Sequence, residues 1–327
     1  MSTDIDLSIL IVNWNTRERT LACITSIRKF VPAQTEVQII VIDNDSGDGS
    51  VEAIRESGVD VEIIENKENA GFGRANNTGL QRATGRIVLF LNSDTEITAS
   101  TIADLLGEFD AHPEAAAFGC KILDYDETPQ HSVRGFPTLG AYLYSDTFLG
   151  LLGLFRGSHD RYRRKQFDFD QWQPIEVAMG AALAVRSEVV QQMQGFDPRF
   201  FMYFEEADLC RRIHDAGHKL AYSPVPVVYH VGGASSRKSK ARMMLVIRQS
   251  MFKYFRKHEP AWKMWIFSLV FKPLFLLHMI ATWLKQWLRA GLARLQPDSR
   301  GRREKYQRRL DVTREFLVKY SVEFLRA

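Results

Sequence analysis

Leu7-Ser8-Ile9-Leu10-Ile11-Val12-Asn13-Trp14-Asn15 is an apolar run of strand character that stops abruptly in hydrogen-bonding side chains. The construction recurs: residues 37–42 run into Asp43-Asn44-Asp45, and residues 87–91 run into Asn92-Ser93-Asp94. Further short apolar runs at residues 61–64 and 115–118 alternate with helix-period segments. This alternation predicts an α/β fold: a Rossmann-like, mostly parallel sheet flanked by helices. Ligands of such sheets bind outside the carboxyl ends of the strands, so the three polar clusters should share one crevice.

Outward from this core the pattern loosens. Residues 124–174, with Pro129, Gly135, Pro137, Gly150 and the bases Arg161, Arg163, Arg164 and Lys165, read as a long surface excursion bordering the site. Order resumes with an apolar segment at 177–185, a helix-like 205–216 and a short strand-like 225–230. Two domains are therefore expected: 1–233, with a nucleotide half at 1–123 and an acceptor half at 124–233, and a basic, aromatic, helical region at 234–327.

Within that last region, a helix-period segment at 262–295 carries Trp262, Trp265, Trp283 and Trp287. Ser268, Lys272, His278, Thr282, Lys285 and Arg289 fall in one arc of its helical wheel, with apolar side chains covering the rest. A spanning helix needs roughly 20 apolar residues without a central charge, which favours a helix lying in the membrane interface. A helical subdomain or dimer contact is the alternative.

The composition, 327 residues with 45% hydrophobic and 25% charged, is that of an ordinary globular protein. Its net charge of +4 is uneven, because residues 232–258 include Arg237, Lys238, Lys240, Arg242, Arg248, Lys253, Arg256 and Lys257 and no acid. That points to an anionic surface as partner. Cys23, Cys120 and Cys210 lack metal-ligand spacing and are odd in number, which fits a reducing compartment. Acidic Asp4 and Asp6 followed by a short apolar run do not make a signal peptide, so a cytoplasmic location is expected.

Asp94 closes a strand behind two hydrogen-bonding residues. A hard cation shared with substrate phosphates needs few protein ligands, and an acid there supplies one; capping the next helix is the competing role. Asp43 is either a turn residue or a carboxylate that accepts hydrogen bonds from a nucleobase. Glu205, Glu206 and Asp208 follow the apolar run Phe200-Phe201-Met202-Tyr203-Phe204. Mutual repulsion and lost hydration both raise a carboxyl pKa and suit a general base, whereas acids also favour the first turn of a helix through its dipole. His230 precedes Gly232-Gly233; a lone histidine is more often a structural hydrogen-bonding residue than a ligand.

Taken together, Val12-Asn13-Trp14-Asn15, Ile42-Asp43-Asn44, Asn69-Ala70-Gly71-Phe72-Gly73-Arg74-Ala75-Asn76, Leu91-Asn92-Ser93-Asp94, Glu205-Glu206-Ala207-Asp208-Leu209 and Tyr229-His230-Val231-Gly232-Gly233 resemble the inverting glycosyltransferases of family 2. The likeness is greatest to the bacterial rhamnosyltransferase-type group and covers roughly residues 6–256.

This resemblance implies a GT-A fold with a C-terminal, membrane-proximal helical extension. It makes Asp43 the nucleobase contact and Asp94 and His230 ligands of Mg²⁺ or Mn²⁺. Asn13, Asn15, Asn76, Asn92 and Ser93 complete the nucleotide-sugar site. Glu206 becomes the catalytic base, supported by Glu205 and Asp208. Two departures stand out: the D-x-D position reads Asn92-Ser93-Asp94, with one carboxylate, and the base is Glu where the family usually has Asp. The implied partners are dTDP-rhamnose, a lipid-linked saccharide of a cell-surface polymer and an anionic membrane, at the inner face of the plasma membrane. A homo-oligomer is compatible, and no nucleic-acid partner is expected.

Three other classes compete. Gly71-Phe72-Gly73-Arg74-Ala75-Asn76 begins like the dinucleotide fingerprint of an oxidoreductase, but its sixth position is Asn and it follows the third run rather than the first. The G-x-x-x-x-G-K-[ST] of a phosphotransferase is absent from the sequence. A catalytically silent binding module is disfavoured by the presence of Asp94, Glu206 and His230 together.

Overall fold

The computed structural model describes residues 5–232, 240–294 and 300–327. Asp4, Gly233, Arg237, Lys238 and the end of the expected 262–295 helix lie outside them, as does the expected domain boundary at 233/234. The strands are β1 (Leu7–Asn13), β2 (Val37–Asp43), β3 (Glu62–Glu65), β4 (Ile87–Asn92), β5 (Thr95–Ile97), β6 (Ala115–Leu123), β7 (Val133–Arg134), β8 (Gln173–Pro174), β9 (Val177–Ala178), β10 (Ala182–Arg186) and β11 (Lys219–His230). The helices are α1 (Arg17–Phe30), α2 (Ser50–Glu56), α3 (Phe72–Leu80), α4 (Thr101–Ala111), α5 (Leu139–Asp146), α6 (Arg156–Arg163), α7 (Ser187–Gln192), α8 (Glu205–Asp215), α9 (Lys240–His258), α10 (Ala261–Arg294), α11 (Arg300–Glu315) and α12 (Ser321–Arg326).

The described residues form two compact units, one built from residues up to Phe136 and from Arg163 to Gly232, the other from Pro137–Tyr162 and the chain from Lys240 on. In the first, the sheet order is β3-β2-β1-β4-β10-β6-β11-β5, with β8 also paired to β11. The half β3-β2-β1-β4 is all parallel, as the alternating runs predict. β1, β4 and most of β2 are buried on both faces, so they read as continuous apolar runs, and Ile9, Ile11, Leu89 and Leu91 join one core; β3, at the edge, exposes Glu62 and Glu65.

The other half is mixed. β10 runs antiparallel to both β4 and β6, and β5 antiparallel to β11. The single apolar segment expected at 177–185 is two strands: β9 pairs with β7 in a small separate sheet, and the chain passes Gly180 before β10 enters the main one. The short strand expected at 225–230 is the end of a twelve-residue β11. Pro224 and Pro226 disguise its length; they are tolerated because its pairing with β6 shifts register between Tyr222 and Val227. Cys23, Cys120 and Cys210 are buried free thiols, and burial pushes each up to about 12.

The second unit is helical around an aromatic core in which Phe252, Phe271, Phe275, Phe316 and Phe324 pack ring against ring. α10 turns Met264, Phe267, Phe271, Phe275 and Met279 into this core. Ser268, Lys272, His278 and Thr282 share that inner side and are half-buried; the Lys272 Nζ donates to the Leu325 carbonyl at 2.9 Å. The exposed side of α10 is largely apolar, with Lys285 and Arg289 of the predicted polar arc exposed among its tryptophans and leucines. By length and composition this helix could cross a membrane.

Candidate active site

The carboxyl ends of β1, β2 and β4 lie side by side, since Asn13 is in register with Asp43 and Val12 with Asn92. Asn13, fully buried, donates from Nδ2 to Asp43 Oδ1 at 2.6 Å and accepts at Oδ1 from the hydroxyls of Thr16 and Thr20. Asp43 Oδ2 accepts the Ser46 amide at 2.9 Å, so the carboxylate is oriented from both sides while each oxygen keeps a lone pair. Asn15 lies in the left-handed region with φ of 54° and accepts the Gly47 amide at its Oδ1. Asn76 is fully buried in α3, where it donates to the Phe72 carbonyl.

Beyond β4, the Ser93 hydroxyl is 2.9 Å from that of Thr16, and Asp94 is buried beside His230. β11 delivers the histidine: His230 pairs with Thr95, and the Val231 amide donates to the Asp94 carbonyl at 3.0 Å. His230 Nε2 is 3.2 Å from Asp94 Oδ1 and 3.4 Å from Asn92 Nδ2.

Gln130 decides which imidazole nitrogen carries the proton. Its Nε2 donates to Asp124 Oδ1 and to the His230 carbonyl, both at 2.7 Å and both acceptors only. Its Oε1, 2.9 Å from His230 Nδ1, must therefore accept, which places the proton on Nδ1. With Nδ1 so engaged, Nε2 faces Asp94 Oδ1: as imidazolium it donates to that oxygen, and in the neutral ring its lone pair can share a cation with it. Among the described residues no group of three or more His, Cys, Asp or Glu is placed to hold a metal. A two-ligand pair fits a hard cation whose remaining positions go to phosphate oxygens and water. Sequence reading missed Gln130 altogether; it lies in the irregular excursion and carries no motif.

The acids sit on α8, entered through two successive bulky residues with positive φ, Tyr203 (67°) and Phe204 (70°). Such conformations cost of order 1–3 kcal/mol each and persist where surrounding packing imposes them. Here the Phe201 carbonyl accepts the Phe72 amide at 2.9 Å and lies only 2.1 Å from where a Cβ on Gly71 would stand. Gly71, the first glycine of the fingerprint-like run, thus makes room for a protein carbonyl.

Glu205 and Glu206 diverge from this anchor, as successive helical residues about 100° apart must. Glu205, 4% exposed, packs toward Gly73, and Glu206, half-buried, toward Gly180. The neighbouring Ala181 carbonyl accepts the Asn92 amide, so Glu206 flanks the tip of β4. One carboxylate oxygen of each glutamate is buried and unpartnered among the described residues. Burial pushes Glu205 well above the usual carboxyl range, with the charge of Glu206 adding to it; burial raises Glu206 too. Asp208 is fully buried and bound to Arg212 at 2.8 Å, whose other nitrogens hold the carbonyls of Met193 and Gly195. It fixes α8 in place and has no exposed surface to offer a substrate.

A model described as Glycosyl transferase family 2 matches residues 8–190. An N-acetylglucosaminyl-diphospho-decaprenol L-rhamnosyltransferase of Mycobacterium tuberculosis is 26% identical over 259 residues, 75% of this chain and 81% of the relative. Rhamnosyltransferase WbbL of Escherichia coli is 25% identical over 192 residues, 56% and 69% of the two chains. Among solved structures, the mannosyltransferase PcManGT from Pyrobaculum calidifontis, in complex with GDP-Man and Mn²⁺, superposes with a TM-score of 0.55 at 16% identity over 98% of this chain and 89% of the other. GalNAc-T7 with UDP, GalNAc and Mn²⁺ gives 0.54 at 16% identity over 80% and 52%. These structural likenesses carry the fold, which is GT-A with a helical C-terminal region. The sequence match spans more than half of the chain, and the protein belongs to glycosyl transferase family 2.

Proposed function

We propose that this glycosyltransferase moves a sugar, with inversion, from a nucleotide-sugar donor to a hydroxyl of a lipid-linked saccharide, with Mg²⁺ or Mn²⁺ held by Asp94 and His230. The observation that supports it most is the facing pair of His230 Nε2 and Asp94 Oδ1, 3.2 Å apart, with Nδ1 already committed to Gln130. The bound cation would neutralise charge growing on the leaving diphosphate. Asp43 accepts hydrogen bonds from the nucleobase, and Asn13 orients it. Glu206 takes the proton of the acceptor hydroxyl as that oxygen attacks the anomeric carbon from the face opposite the diphosphate. Burial raises the Glu206 pKa above the usual carboxyl range, which strengthens it as a base. One displacement needs no protein nucleophile.

Two relatives named rhamnosyltransferases, one of them for an N-acetylglucosaminyl-diphospho-decaprenol, favour dTDP-rhamnose as donor and a polyprenyl-diphosphate saccharide as acceptor. The exposed, largely apolar side of α10 and the acid-free α9 favour work at the cytoplasmic surface of an anionic membrane. A panel of nucleotide sugars with Mg²⁺ and Mn²⁺, read by thermal shift and donor hydrolysis, tests the donor. dTDP-rhamnose should protect the protein most. Protection by UDP- or GDP-sugars with none from dTDP-rhamnose would reassign the donor.

Gln130→Leu removes the acceptor that holds the Nδ1 proton. The affinity of the dTDP-loaded protein for Mn²⁺, followed by electron paramagnetic resonance, should fall roughly 10- to 100-fold, the usual cost of losing such an orienting partner. Unchanged Mn²⁺ affinity would deny Gln130 its orienting role.

A further inference from the structure

Phe148-Leu149-Gly150-Leu151-Leu152-Gly153-Leu154-Phe155 has no polar side chain, yet it lies on the surface of the second unit. Leu151 and Leu152 are 81% and 72% exposed, and Leu154 and Phe155 nearly half. Soluble surfaces scatter single apolar residues; a contiguous group of this kind marks a binding surface. The turn is built and anchored. Phe148 to Leu152 form a 3₁₀ helix closed by left-handed Gly153, and a Cβ on Gly150 would stand 2.1 Å from the Tyr144 carbonyl. The ring of Phe148 packs edge-on against His278 of α10, 5.1 Å between centroids.

The surroundings of the turn select its occupant. α6 follows at once, with Arg156, Arg161 and Arg163 against a single acid, Asp160. α9 of the same unit contributes further bases and no acid. α10, against which Phe148 packs, also has no acid, and it exposes Trp265, Leu269, Leu284, Trp287 and Leu292. Exposed leucines beside a basic helix match an anionic bilayer, where acyl chains receive the former and headgroups pair with the latter. A second copy of the chain would bring the same positive charge to the contact.

We infer that the Phe148–Phe155 turn is a membrane-inserting plug, which seats the second unit on an anionic lipid surface by burying Leu151 and Leu152 among the acyl chains inside a cationic collar. The inference deepens the membrane reading proposed above, which needs only the segments beyond residue 239.

The test uses the full chain and sucrose-loaded vesicles of phosphatidylcholine with 30% phosphatidylglycerol, on the wild type, Leu151→Asp/Leu152→Asp and, in α10, Trp265→Asp/Leu269→Asp. The plug variant should bind roughly 10- to 100-fold more weakly, from the apolar transfer it forfeits. Its thermal midpoint should be unchanged, because both side chains are exposed. Independently, Leu152→Trp should shift its emission to the blue with vesicles and be quenched by lipids brominated in the acyl chain. Wild-type affinity in the plug variant together with an unquenched Leu152→Trp overturns the plug; if the α10 variant alone then loses binding, the membrane reading itself stands. Wild-type protein that ignores the vesicles overturns both. A concentration-dependent dimer abolished by Leu151→Asp/Leu152→Asp, without lipid quenching, overturns the plug in favour of a contact between copies.

Discussion

Replacing Glu206 by glutamine should lower sugar transfer by roughly 10²- to 10⁴-fold while leaving donor affinity near that of the wild type, because size and hydrogen bonding survive and only the proton acceptor is lost. The choice between the adjacent acids rests on packing. Glu206 lies against Gly180 at the tip of β4 and keeps some exposure, whereas Glu205 is 4% exposed and turned toward Gly73. Glu205→Gln should therefore cost less in transfer. It should also raise the thermal midpoint at neutral pH. Burial and the neighbouring charge raise the folded-state pKa of Glu205, so the stability this carboxyl contributes is full below the unfolded carboxyl pKa and is lost as pH rises through the folded one. A permanently neutral glutamine escapes that loss, and its advantage should vanish under acid conditions. If Glu205→Gln damaged transfer more than Glu206→Gln at equal donor affinity, the two roles would have to be exchanged.

The second large effect is expected at the facing pair. On the proposed metal site, Asp94→Ala or His230→Ala would remove one of two protein ligands from a cation whose charge stabilisation is worth several kcal/mol, so transfer should fall by about 10³-fold or more. The fold should survive, because the strand hydrogen bonds that place these residues use main-chain atoms: the Asp94 carbonyl accepts the Val231 amide whatever the side chains. Circular dichroism and the thermal midpoint check that separation. Substantial transfer by either variant in saturating Mn²⁺ would remove its residue from the metal site.

β1, β2 and β4 and their polar ends were legible in the sequence because strands covered on both faces leave continuous apolar runs, and each of these runs stops in hydrogen-bonding residues. What failed to show was long-range or masked. β10 hid inside one apolar segment, since nothing local tells a strand that enters the sheet from one that stops short of it at Gly180. Pro224 and Pro226 truncated β11 to the eye, although a register shift absorbs them. Gln130 meets His230 across a hundred positions of chain and carries no pattern of its own. For α10 the wheel misplaced the division: Ser268, Lys272, His278 and Thr282 are half-buried, whereas Lys285 and Arg289 of the same arc are exposed. Polar usually means outward; here Phe267, Phe271 and Phe275 share the arc of Ser268, Lys272 and His278, and the aromatic core takes that side. The apolar turn at 148–155 lay inside the irregular excursion, where proline and glycine drew more notice than the missing polar residues.

Metal-dependent sugar transfer at the Asp94–His230 pair is the centre of this account, and the wild-type protein with its donor and acceptor tests it most directly. Transfer should disappear when divalent ions are removed with excess chelator and return when Mn²⁺ or Mg²⁺ is restored in excess. Undiminished transfer in chelator would contradict it.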